Sequence, residues 1–195
     1  MKASGNTRIT IVDCGSRKVA DIVRILEELG VVATVITPSQ LATLDADLPA
    51  AIIISGNPAL IRDTGVEFLK HFESLSAHTI PVLGICFGHQ VIGLLYGAEV
   101  TMGKEDRDLR EMEILQIDPL FTGLLTENTF KEDHTEVVSL PDDFIPLARS
   151  SRCSNEAMMH STLPLYSVQF HPESSGSAGQ KLIKNFLTLV ENHTA

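Results

Sequence analysis

The chain has 195 residues, 44% of them hydrophobic and 21% charged, with 9 prolines and 13 glycines scattered along it. That size and mixture suit one compact domain, 1–195, able to bury a sizeable core, and they exclude disordered, collagenous and coiled-coil chains. Fifteen Lys and Arg against twenty-five Asp and Glu give a formal charge of -10, with no basic run or aromatic platform, which argues against nucleic acid or an anionic membrane surface as a partner.

No apolar run approaches the roughly 20 residues that span a bilayer, and the polar start MKASGNTR carries no signal-peptide core. The expectation is a soluble, unexported, cytoplasmic protein. Its three cysteines, Cys14, Cys86 and Cys153, are odd in number and irregularly spaced, unlike a disulfide framework or a zinc site.

In chain order, Arg8 to Val12 is a β-branched run that stops at turn and cap residues, so it reads as a strand feeding a helix. From Lys18 to Leu29 the apolar residues Val19, Ile22, Val23, Leu26 and Leu29 follow helical spacing, with Gly30 placed as a C-terminal cap. Val31 to Thr37 is the next strand, a loop surrounds Pro38, and Ala50 to Ile54 is apolar on both faces, as in a parallel sheet covered on both sides. Residues 66–75 carry a helical pattern, Val82 to Ile85 is a buried strand, and Gly88 to Tyr96 is helical. Past that point Glu111 to Ile117 alternates, and short strand-like pieces recur at Val137 to Ser139, Ile145 to Ala148, Ala157 to Met159 and Leu165 to Phe170. An amphipathic helix containing Leu182, Ile183, Phe186, Leu187 and Val190 closes the chain. The predicted fold is α/β: an open, mostly parallel sheet flanked by helices on both faces, with antiparallel strands added in the C-terminal half.

Gly84-Ile85-Cys86-Phe87-Gly88 has the Gly-x-nucleophile-x-Gly form of a nucleophile elbow, a sharp strand-to-helix turn whose flanking positions admit no Cβ. Such a turn aims a helix N-terminus at the sulfur, favours thiolate, and makes the Phe87 N–H an oxyanion donor. A buried cysteine between packing glycines fits the same five residues. A cysteine nucleophile needs a general base held by a third group. Phe170-His171-Pro172-Glu173 supplies an imidazole at the end of a predicted strand and a carboxylate two residues on.

Together, Gly84 to Gln90 and Phe170 to Glu173 resemble the signature pair of the class I, triad-type glutamine amidotransferases. The likeness runs over nearly the whole chain. The stretch from Pro141 to Glu173 is most similar to the separate amidotransferase subunits of GMP synthetases. The resemblance implies glutaminase chemistry: Cys86 attacks the side-chain amide of glutamine, His171 protonates the departing ammonia, Glu173 orients His171, and water hydrolyses the thioester. It also implies that Gln90 holds glutamine and that a Ser-Gly-Gly-Pro loop, here Ser55-Gly56-Asn57-Pro58, gives the second oxyanion donor from Gly56 or Asn57. The family's Ser-His-x-Asp loop, here Asp133-His134-Thr135-Glu136, implies substrate or partner contacts by His134 and Thr135. Arg17 replaces a glutamine, and Ser174-Ser175-Gly176-Ser177 replaces the usual Val-x-His-Thr.

The chain has no P-loop with which to activate an acceptor. The implied partner is an ATP-pyrophosphatase-type synthetase subunit that aminates XMP. No cofactor is expected in this chain, ATP and magnesium belonging to the partner. The alternatives are a stand-alone hydrolase or transferase of γ-glutamyl substrates, and an inactive regulatory module. Cys14 and Cys153 read as structural, His71, His78 and His160 as lacking metal-ligand spacing, Lys104 to Asp108 as a solvated loop, and Met158-Met159 as core. No metal site is expected.

Overall fold

Runs that are apolar at every position can be satisfied only where both faces of a sheet are covered, and the central strands meet that condition. The computed structural model of the chain describes residues 8–41, 43, 44, 48–77 and 79–194; His78 lies outside them. Its first strands and helices are β1 (Arg8–Val12), α1 (Val19–Glu28), β2 (Val32–Ile36), α2 (Pro38–Leu41), β3 (Ala51–Ile54), α3 (Gly65–Leu69), β4 (Val82–Ile85) and α4 (Phe87–Leu95). They are followed by β5 (Val100–Asp106), β6 (Leu109–Glu111), β7 (Glu113–Ile114), β8 (Thr129–Lys131), β9 (His134–Val138), β10 (Phe144–Arg149), β11 (Ala157–His160), β12 (Leu165–Val168) and α5 (Gly176–Thr194).

Eight strands form one sheet in the order β2-β1-β3-β4-β12-β11-β10-β7. From β2 to β12 the neighbours are parallel, and from β12 to β7 they are antiparallel. Alternate residues serve opposite faces: Ile53 of β3 joins the core under α1 and α5, whereas Ile52 and Ile54 join a second core containing Phe72, Phe87 and Val91. The predicted class, a mostly parallel sheet with antiparallel additions, matches this architecture.

Several elements depart from the sequence reading. The loop at Pro38 is a short helix, because Thr37 N–H donates to Gln40 Oε1 at 2.8 Å in a reciprocal cap and Pro38 suits a first helical position. The helix of residues 66–75 gives way at Lys70 to a 3₁₀ segment, Lys70–Ala77. Leu69, Phe72 and Leu75 recur every three residues, which lines one side of a helix with three residues per turn. The alternating run 111–117 is broken at Met112, whose side chain is buried and whose N–H donates to Asn128 O at 2.9 Å.

β5, β8 and, except for Glu111, β6 are absent from the sequence reading. They pair outside the main sheet, β5 with β9 and β8 with β6. The solvated-loop expectation for Lys104 to Asp108 is corrected: Lys104, Glu105 and Asp106 close β5, and Asp106 is buried against the Arg110 guanidinium at 2.8 Å.

Candidate active site

The site forms where open parallel sheets place theirs, at the C-terminal ends of the strands. A cavity of about 350 Å³ is lined by the segments after β1, β3 and β4, by the β9 segment, and by His171 beyond β12.

Cys86 joins β4 to α4 with φ 52° and is the only non-glycine with positive φ among the described residues. That conformation costs about 1–3 kcal/mol and persists only where the surroundings impose it. Two close approaches impose it here. A Cβ on Gly84 would stand 2.6 Å from Gly88 O, and one on Gly88 would stand 2.5 Å from Ile54 O. Both positions in the elbow pattern are therefore glycine because α4 lies directly against β3 and β4. As first residue of α4, Phe87 has an N–H with no intrahelical acceptor.

The imidazole comes from the other end of the chain. His171 N–H donates to Lys131 O at 2.8 Å, and Ser175 Oγ donates to His171 O at 2.6 Å while accepting from Lys131 N–H at 2.9 Å. The His171 Nδ1–H donates to Glu173 Oε1 at 2.5 Å, which leaves Nε2 for the cysteine side. His171 and Glu173 are both buried. Gly56 marks the convergence: a Cβ there would lie 3.1 Å from His171 Cε1 and 3.7 Å from Cys86 Cβ. Burial pulls the His171 pKa down, but the adjacent Cys86 sulfur and the Glu173 carboxylate outweigh it and hold the value up at about 10, so the imidazolium is favoured.

The Asn57 side chain is bonded into its own loop and to the loop after β1. Its Nδ2 donates to Cys14 O and its Oδ1 accepts from Ala59 N–H at 2.8 Å, while its φ is not left-handed. Ser55 Oγ accepts from Cys14 N–H at 3.0 Å and further ties this loop to the one after β1. Gln90 borders the cavity, its Nε2 donating to Glu136 O at 2.9 Å and Gln169 Oε1 at 3.3 Å. Thr135 lines the wall. His134 also borders the cavity, but its ring is buried and its Nε2 faces Glu132 Oε2 at 3.1 Å.

Other residues of the site were not singled out from sequence. Gln169 is fully buried and directs Nε2 at Cys86 Sγ from 3.7 Å. Asp133 presents its backbone oxygen 3.8 Å from the same sulfur. Its carboxylate bridges Lys18, at 3.1 Å, and Arg107. Burial raises the Asp133 pKa, but the bond from Lys18 and the charge of Arg107 bring the net value below the usual carboxylate range. Arg17, Lys18 and Arg107 set three cations on the rim beside the carboxylates of Asp133 and Glu136. Gly179 also matters, because a Cβ there would stand 1.8 Å from Pro172 O, so only glycine lets α5 press on the His171 turn. A glycine at any helix position gives no such signal in the sequence.

Cys14 and Cys153 are buried and lie outside the cavity lining; burial, helped by Asp13, pushes the Cys14 thiol up to about 12, and burial together with Glu156 pushes Cys153 higher still. His89, inside the elbow motif, is held neutral near 3 by burial and by His134, and its Nδ1 pairs with Ser167 Oγ at 2.9 Å. Among the described residues, no helix is long and apolar enough to cross a membrane.

Residues 10–190 match the family model for glutamine amidotransferase class-I. The chain is 40% identical over 185 residues to a glutamine-hydrolysing GMP synthase subunit of Pyrococcus abyssi, covering 93% of this chain and 97% of that one. It is 41% identical over 151 residues to the corresponding GMP synthase subunit of Methanosarcina barkeri, covering 76% and 77%. A solved structure from Thermoplasma acidophilum, described as a GMP synthase subunit, superposes with a TM-score of 0.88 over 98% of both chains at 28% identity. A glutamine amidotransferase of Thermotoga maritima, 19% identical, shares the fold with a TM-score of 0.71 over 96% of this chain and 85% of that one.

Proposed function

The chain belongs to the class-I glutamine amidotransferase family, and from that membership we propose that it hydrolyses glutamine through a Cys86 thioester and hands the ammonia to a synthetase partner that makes GMP from XMP. One observation carries the chemical part: Cys86, strained at the elbow, and His171, bonded to Glu173, converge over Gly56.

With the proton already on His171 Nε2, Cys86 Sγ attacks the side-chain carbonyl carbon of glutamine. The Phe87 N–H and the backbone N–H of Gly56 or Asn57 hold the oxyanion. The tetrahedral adduct collapses as the imidazolium gives its proton to the amide nitrogen, and ammonia leaves. A water, deprotonated by the same imidazole, then cleaves the thioester to glutamate and frees the Cys86 sulfur, with the proton back on His171. Glu173 fixes the tautomer and stabilises the imidazolium in both halves. The Gln90 amide oxygen and the Thr135 segment contact the glutamine, and the rim cations Arg17, Lys18 and Arg107 suit its α-carboxylate. The names of the GMP synthase relatives support the choice of partner. ATP and magnesium act in that partner.

The test is glutamate release by the purified chain and by Cys86→Ala, alone and with a GMP synthetase ATP-pyrophosphatase subunit plus ATP and XMP. Release that needs Cys86 and rises with the partner supports the reading. Full release without any partner points to a stand-alone hydrolase, and none under either condition overturns the glutaminase assignment.

A further inference from the structure

Behind the cavity wall three side chains from two separate stretches meet without being satisfied. Glu132 precedes β9, His134 opens it, and Glu156 precedes β11. Both glutamates are fully buried and His134 is 8% exposed. One potential ligand atom from each lies within 4.8 Å of the other two. Among the described residues, no hydrogen bond of good geometry reaches either oxygen of Glu132 or Glu156, or either ring nitrogen of His134, although Ser150 and Glu132 both stand close to the Glu156 carboxyl. The nearby Arg110 guanidinium is committed to Asp106, at 2.8 Å, and to Asp108, at 3.0 Å.

Two buried carboxylates facing an imidazole, with no well-aligned donor, must share a proton, the direction in which burial and Glu132 push Glu156, to about 9, or be held by a cation. The contact between His134 Nε2 and Glu132 Oε2 has no hydrogen-bond alignment, yet its 3.1 Å is close to the spacing of about 3.4 Å between ligand atoms around a tetrahedral ion. One nitrogen and two carboxylate oxygens suit a divalent transition ion, and a +2 charge balances the two carboxylates. Burial of all three donors keeps substrate away from such an ion, which fits a structural rather than a catalytic role.

We propose that Glu132, His134 and Glu156 form a buried structural site for a divalent transition ion of the zinc type, bracing the cavity wall that faces Cys86. Glu132 and His134 flank Asp133, whose backbone oxygen lies 3.8 Å from Cys86 Sγ and whose carboxylate joins Lys18 and Arg107. An ion holding both flanking residues fixes that wall. This site is independent of the glutaminase reading.

The test uses the full chain carrying Cys86→Ala, so that the Cys86 and His171 pair cannot hold the ion. The protein is stripped with a chelator, equilibrated with zinc chloride, gel-filtered, and assayed for bound zinc and melting temperature. The expected result is one zinc per chain and a higher melting temperature with zinc. Glu132→Gln and Glu156→Gln, added singly, should each weaken zinc binding by about tenfold or more and abolish the shift. Should a variant fail to fold, anomalous scattering from zinc-loaded crystals of the Cys86→Ala protein must place the ion between these three residues. A zinc-free chain, as a shared proton in place of an ion would give, overturns the proposal. So does undiminished zinc in either variant or an anomalous peak elsewhere.

Discussion

The nucleophile and the base are built by different means. Cys86 is fixed by contacts inside one short unit, β3, β4 and α4, where two glycines allow the backbones to touch. His171 is held by Lys131 forty residues back, by Ser175 in the next turn, and by the pressure of α5 on Pro172 at Gly179. Glycines two residues either side of a cysteine leave a pattern in the sequence. Constraints from across the fold leave none, and they are open to attack at positions that look ordinary.

The largest effect falls at the meeting point of the two regions. Cys86→Ala should lower glutamate release by roughly 10⁴-fold or more while leaving the far-ultraviolet circular dichroism unchanged, since it removes the reacting atom and keeps the same Cβ on the same backbone. Glu173→Gln should cost on the order of 10²- to 10⁴-fold in kcat, by disturbing the tautomer and the imidazolium.

Glu173→Gln also has a pH signature. The folded His171 value lies near 10, above the ordinary 6.5, so its contribution to stability is complete below about pH 6.5 and disappears as pH rises toward 10. Melting temperatures between pH 6 and 10 should fall through that window in the parent and fall less steeply in Glu173→Gln. An identical slope in both proteins would separate Glu173 from the His171 charge.

The two glycines set the regions against each other more directly. Gly88→Ala drives a Cβ into Ile54 O, and Gly179→Ala drives one into Pro172 O. Each should cost about 1–3 kcal/mol or more, a fall of roughly 3–10 °C in melting temperature for a chain of this size. Both should also reduce kcat, because each moves one half of the pair. A Gly179→Ala protein with parental kcat would show that α5 does not position His171.

The smallest effect is expected at Asn57. Its side chain is bonded to Cys14 O and Ala59 N–H, and its backbone needs no glycine, so Asn57→Gly should lose about 1 kcal/mol of stability and change kcat by only a few-fold. A large gain in kcat would mean that the asparagine obstructs the oxyanion site.

The same contrast explains how much of the molecule could be read in advance. β1, β3 and β4 are legible because both of their faces are buried, and the elbow because its glycines are compulsory. β5 is not, since most of its residues are exposed and its charged end, Lys104 to Asp106, pairs only in a two-stranded ladder. Gln169 and Asp133 escape because what each does depends on a partner distant in the chain, and Gly179 because a glycine within a helix carries no pattern of its own. Glu132, His134 and Glu156 carry no metal-ligand spacing, because the fold, not the sequence interval, brings them together.

The most direct measurement is covalent labelling by a glutamine analogue whose side-chain amide is replaced by an electrophilic diazoketone, read by peptide mass spectrometry with and without competing glutamine. The account predicts one adduct, on Cys86, suppressed by glutamine and much slower in Glu173→Gln. Equal labelling of Cys14 or Cys153, or a Cys86 adduct indifferent to glutamine, would contradict it.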